Sequence, residues 1–222
     1  AGATGRIVRG EANLALEATA RGPLSLGGAE IAGAVDATGR ITGRIARPTL
    51  SARAALSSFA AGGVVVENPI LDFTLAPVGN AYAGSATVEG SASGQPLTGT
   101  SNVNVAGGAL GLTNLDAQWG GLAAQGSAAF GPRGVTAALD VNGALDGVVP
   151  GVTGRFSGDL ALTPETLTLD AQIMDARAGE LRVRAATMRA RGPLDAIAAT
   201  FDMRGRLRRA PLAFGGDRLV SP

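Results

Sequence analysis

The sequence predicts an all-β protein, an elongated and mainly antiparallel sheet curled into an open apolar groove. Three observations predict it. Apolar and polar residues alternate with period two in segment after segment. Gly, Pro, Asn and Asp punctuate those segments at short intervals. The residues on the apolar side are too small to fill a deep core: of 222 residues, 34 are Gly and 43 are Ala, and Ala buries little area.

Taken along the chain, the alternation recurs with one apolar and one wet side each time. Tyr82, Gly84, Ala86 and Val88 share a side, as do Val135, Ala137, Leu139 and Val141. In 166–173, Leu167, Leu169, Ala171 and Ile173 oppose Thr166, Thr168, Asp170 and Gln172. In 180–185, Leu181, Val183 and Ala185 oppose Glu180, Arg182 and Arg184. In 197–204, Ile197, Ala199, Phe201 and Met203 oppose Ala198, Thr200, Asp202 and Arg204. One-sided strands of this kind belong to antiparallel sheet.

Turn signals stand at Gly22-Pro23, Thr38-Gly39, Gly94-Gln95-Pro96, Gly131-Pro132, Asn142-Gly143, Thr163-Pro164-Glu165 and Gly192-Pro193. Their spacing predicts roughly 14–16 strands. Only in 51–61 does a helix compete, because of its Ala content, and Ser57-Ser58 and Gly62-Gly63 limit it. Ala20-Arg-Gly-Pro-Leu24 recurs unchanged at Ala190–Leu194, each copy ending an alternating segment. The shorter unit Gly-x-apolar-x-Gly appears at 39–43, 143–147 and 154–158.

So many one-sided strands must curl, close or split, and their apolar side must be covered. A sandwich would use large residues from two facing sheets. Here Leu, Val and Ile alternate with Ala and Gly, which predicts a shallow greasy trough. About 15 strands stacked at ~4.8 Å would extend roughly 70 Å. The residues expected to line it are Val135, Leu139, Val141, Leu167, Leu169, Ile173, Leu181, Val183, Ile197, Phe201 and Met203.

Composition removes much of the chemistry of catalysis. There is no Cys and no His, and all 19 basic residues are Arg. Thiolates, imidazole bases, lysine Schiff bases and Walker-type phosphate loops are therefore unavailable to it. Asp140–Gly147 fails the spacing of a calcium loop, so we read Asn142-Gly143 as a hairpin turn. Gly90–Gly94 lacks the serine of a nucleophile elbow at its centre, which is Ala92, and we read it as a turn. Carboxylates are scattered singly. The expectation is no catalytic residue, no metal site, no cofactor and no enzymatic activity.

Net charge is +1, but unevenly placed. Residues 1–59 carry seven Arg and four acids, residues 60–150 carry Arg133 against six acids, and residues 151–222 carry eleven Arg and eight acids. Arg204, Arg206, Arg208 and Arg209 read as a wet face or a protected sheet edge, with a phosphate-rich headgroup as the alternative. With so low a charge and eight aromatics, nucleic acid is not an expected partner. No 20-residue apolar run suggests a membrane helix.

The run 38–52 (TGRITGRIARPTLSA), with Phe59–Asn68 and Ala190–Leu207, resembles the recurring hairpins of the TamB/AsmA-like family. The resemblance covers most of the chain as texture, through degenerate motifs. It implies that residues 1–222 are one continuous internal segment of a longer β-groove protein. That protein would be anchored in the inner membrane of a Gram-negative bacterium outside this segment, and would cross the periplasm. The segment would pass phospholipid toward the outer membrane, with an outer-membrane barrel partner in protein assembly. The competing reading is a surface-exposed β-solenoid or autotransporter-like passenger with an adhesive role, which requires parallel coils. A lipid-embedded barrel would need aromatic girdles that eight aromatics do not supply.

Overall fold

In the computed structural model of the chain, each alternating segment forms strand, apart from Glu180 and Ile197 at the starts of two of them. The structure describes residues 2–26, 29–61, 64–132, 134–194, 196–207 and 210–220. Among them there are sixteen strands and no helix. The chain falls into two units, Ala1–Leu112 and Thr113–Pro222.

The first unit holds β1 (Gly2–Val8), β2 (Glu11–Arg21), β3 (Leu24–Leu26), β4 (Ala29–Arg44), β5 (Thr49–Ala61), β6 (Val64–Val78), β7 (Ala81–Ala92) and β8 (Gln95–Ala106). β9 (Ala109–Trp119) contains the boundary. The second unit holds β10 (Leu122–Gly131), β11 (Gly134–Ala144), β12 (Val152–Leu162), β13 (Thr166–Ala178), β14 (Leu181–Pro193), β15 (Ala198–Leu207) and β16 (Ala210–Val220). Within each unit the strands pair antiparallel in chain order, and β3 adds to β4 beside β2.

Several connections are two-residue hairpin turns with both residues at positive φ: Arg9-Gly10, Ser93-Gly94 and Gly107-Gly108. That geometry matches the twist of the flanking strands, so consecutive strands pair without a crossover. The segment 51–61, where helix competed, lies inside β5. Its Ala residues stand opposite Gly39, Ala37, Phe73 and Leu71 of the neighbouring strands, and this cross-strand setting overrides local helix propensity.

Gly192-Pro193, expected as a turn, is the last pair of β14, and two of the expected turns are strand interior. Thr38-Gly39 lies in the middle of β4 and Asn142-Gly143 near the end of β11. Their glycines serve close approach. A Cβ on Gly39 would stand 2.7 Å from the Ser51 carbonyl oxygen, and one on Gly143 would stand 2.1 Å from that of Gly121. Similarly, Gly90, Ser91 and Ala92 belong to β7, and the turn there is Ser93-Gly94 alone.

The alternation also changes phase inside strands. Leu160, Leu169 and Ala190 stand directly opposite one another, as do Phe156, Ile173 and Ala186. Beyond Ile173 an extra residue enters β13 relative to β12, between the pairs Arg155–Met174 and Thr153–Arg177. An extra residue enters β14 relative to β15, between Val183 and Ala185. Asp175 sits at the first irregularity with φ 52°, a conformation Asp tolerates better than most residues. A bulge of one residue returns the apolar parity to the same side. Ala186, at 7% exposure, therefore continues the side that carries Ile173, in place of the expected Ala185.

Candidate functional site

Residues directly opposite on adjacent strands share a face of the sheet, so the registers assemble the apolar side row by row. In the second unit one row runs Leu139, Leu160, Leu169, Ala190, Ala199 across five strands. The next row runs Val141, Gly158, Ala171, Met188, Phe201. A third runs Gly143, Phe156, Ile173, Ala186, Met203. Beyond the bulges, Ala176 meets Val183 and Ala178 meets Leu181.

These rows bring together most of the residues singled out from the sequence. Leu139 and Leu169 share a row, as do Val141 and Phe201, and Ile173 and Met203. Leu167 lies opposite Leu162, which lies opposite Ala137. Val135 stands apart toward the β10–β11 turn, opposite Phe130. Ile197 precedes β15 and belongs to no strand. None of the eleven is buried. Val135 and Phe201 are 38% and 37% exposed, and Phe130 reaches 44%.

The first unit carries an equivalent surface. One row crosses six strands as Leu14, Ile41, Leu50, Leu75, Gly84, Val103. The next runs Leu16, Gly39, Ala52, Phe73, Ala86, Ser101. Only β7 of this surface was named from the sequence. The same period-two count over 11–21 and 69–78 would have found Leu14, Leu16, Leu71, Phe73 and Leu75.

The surface is thinly covered. Among the described residues no large side chain is fully buried, and five of the nine buried apolar residues are Ala. Total accessible area is 14285 Å². Two compact globular units of half this mass would expose about 11,000 Å² together. Chemically, this face offers dispersion contact and removal from water, with no buried polar side chain among the described residues to orient a ligand.

The opposite face holds the charge. Arg53 pairs with Asp72 at 2.6 Å across β5 and β6. Asp170 accepts both Arg189 at 3.2 Å and Arg191 at 2.8 Å. Asp140, Asp159 and Asp170 stand directly opposite one another across β11, β12 and β13. Arg204 and Arg206 do not guard an edge, because β15 lies between β14 and β16. Arg208 and Arg209 lie outside the described residues. No group of metal-ligating side chains occurs among the described residues. No protein-family model, curated protein or solved structure matches the chain.

Proposed function

We propose that the chain is a hydrophobic conduit segment that shields the acyl chains of phospholipid, with no chemistry of its own. The observation that carries this reading is the set of apolar rows, five and six strands wide, in which no large side chain is fully buried among the described residues. An acyl chain leaving a bilayer loses about 0.8 kcal/mol per exposed CH₂. A face that alternates Leu, Val and Phe with Ala and Gly restores that contact along a wide path. Because it holds no specific polar bonds, a chain can slide along it.

Curling of each sheet toward its apolar side would deepen this path into a groove. Glycines of that side touching the neighbouring main chain, and bulges in the adjacent strands β13 and β14, are the devices by which sheets bend. The hairpin resemblance supplies the cellular setting of the proposal. The segment would belong to an inner-membrane-anchored, periplasmic protein that passes phospholipid toward the outer membrane, with a barrel partner there. Antiparallel hairpins in both units count against the parallel coils that a solenoid passenger requires.

Native mass spectrometry and lipid extraction of the protein purified from membranes test the proposal. Retained phospholipid is the expected result. A lipid-free protein that also fails to take up phospholipid from detergent would overturn it.

A further inference from the structure

The polar face of the second unit carries an arrangement that the conduit does not use. Arg177, Arg182 and Arg206 stand directly opposite one another on β13, β14 and β15. In the other strand registers arginine meets an acid, a hydroxyl, an amide or an apolar residue: Arg44 faces Glu11, Arg53 faces Asp72 and Arg189 faces Asp170. Like charges directly opposite across strands are destabilising. Three guanidinium groups in one row therefore call for a counter-charge.

The described residues do not supply it. Arg177, Arg182, Arg184 and Arg206 make no ion pair with any described residue. Of the neighbouring acids, Asp175 pairs with Arg155 at 3.3 Å and Asp202 with Arg204 at 3.7 Å, and Glu180, two residues before Arg182, has an interaction of its own. The row also lies at the irregularities of β13 and β14, where Arg184 adds a further cation. A hollow of about 580 Å³ there is lined by Arg177, Arg182, Arg184, Arg204 and Arg206, together with Asp175. Edge protection does not explain the row, since all three strands have neighbours on both sides.

We propose that this arginine row is a binding site for a phosphate-bearing anion with two or more negative charges. Guanidinium groups bind phosphate oxygens through paired N–H donors, and adjacent strands about 4.8 Å apart place three of them along roughly 10 Å. The anion is either a free phosphate compound or the headgroup of an anionic phospholipid. The site lies on the face opposite the acyl-binding rows, so it does not rest on the conduit reading.

The experiment measures binding of inorganic pyrophosphate by calorimetry, and co-sedimentation with phosphatidylglycerol or phosphatidylcholine vesicles, in low salt. The wild-type chain is compared with Arg182→Gln, Arg182→Lys and the distant control Arg40→Gln. Affinity should fall about 10- to 100-fold in Arg182→Gln, partly recover in Arg182→Lys and stay unchanged in Arg40→Gln. Without anion, Arg182→Gln should melt no lower than wild type, because it relieves like-charge crowding. Pyrophosphate should raise the melting temperature of wild type and of Arg40→Gln, and leave that of Arg182→Gln unchanged. Binding to pyrophosphate alone identifies a free anion, and Arg182-dependent binding to phosphatidylglycerol vesicles identifies a headgroup. Absence of both, or binding that Arg182→Gln leaves intact, would overturn the proposal. So would salt-sensitive self-association abolished equally by Arg182→Gln and Asp159→Asn, which would assign the arginine row to the aspartate row of a second copy.

Discussion

Single residues on the apolar side decide between contact and clearance. Gly84 lies in an apolar row six strands wide, and a Cβ there would stand 1.7 Å from the Thr74 carbonyl oxygen. Gly84→Ala should lose about 1–3 kcal/mol in urea unfolding. Gly111→Ala, whose Cβ would meet only the Asn104 carbonyl oxygen at 3.8 Å, should be nearly neutral. Leu169→Asp tests the face itself. Leu169 is incompletely buried, so its carboxylate can reach water in the free protein and the fold should survive. Against an acyl chain it has no partner, and lipid retention should fall by about 1–3 kcal/mol, roughly 10- to 100-fold. Thr168→Asp, one residue away and opposite Arg191, should retain lipid normally. Extraction and quantification of phospholipid from each variant checks both expectations.

Strands were the legible level of this sequence, and the irregularities between them were not. Period two found Leu167, Leu169 and Ile173 because their neighbours Thr168, Asp170 and Gln172 are unambiguously polar. It misplaced Ala185 because nothing nearby marks a change of phase. Asp175 and Arg184, at the bulges, are polar residues that suit a wet face in either parity. Thr38-Gly39 and Asn142-Gly143 read as turns because local sequence cannot tell a turn glycine from one inside a strand that needs clearance against a neighbour many residues away. For the same reason the acid and arginine rows were invisible: they exist only once the cross-strand register is fixed. Asp175 gives the element-scale prediction. At φ 52°, Asp175→Gly should be neutral or stabilising, because the Arg155 pair it removes is 70% exposed on both sides and contributes little. Asp175→Val should lose about 1–2 kcal/mol. Denaturant unfolding of the two variants gives the comparison.

In each unit, paired strands are chain neighbours, apart from the detour of β3, so stability is built from hairpin to hairpin, with nine buried apolar residues among the described residues. Such a chain resembles a linear array in its energetics. Hydrogen exchange should be slowest in the inner strands β5–β7 and β12–β14 and fastest toward β1, β3 and β16, with no single global opening step. The proposed conduit requires that something other than the chain cover the apolar face. Site-specific photo-crosslinking asks most directly whether that cover is lipid. A photoreactive residue placed singly at Leu139, Leu169, Ala138 or Thr168 in the membrane-extracted protein samples both faces of β11 and β13. Crosslinks to phospholipid at Leu139 and Leu169, and not at Ala138 and Thr168, are the predicted result. Equal labelling of the two faces, or labelling confined to Ala138 and Thr168, would contradict the account.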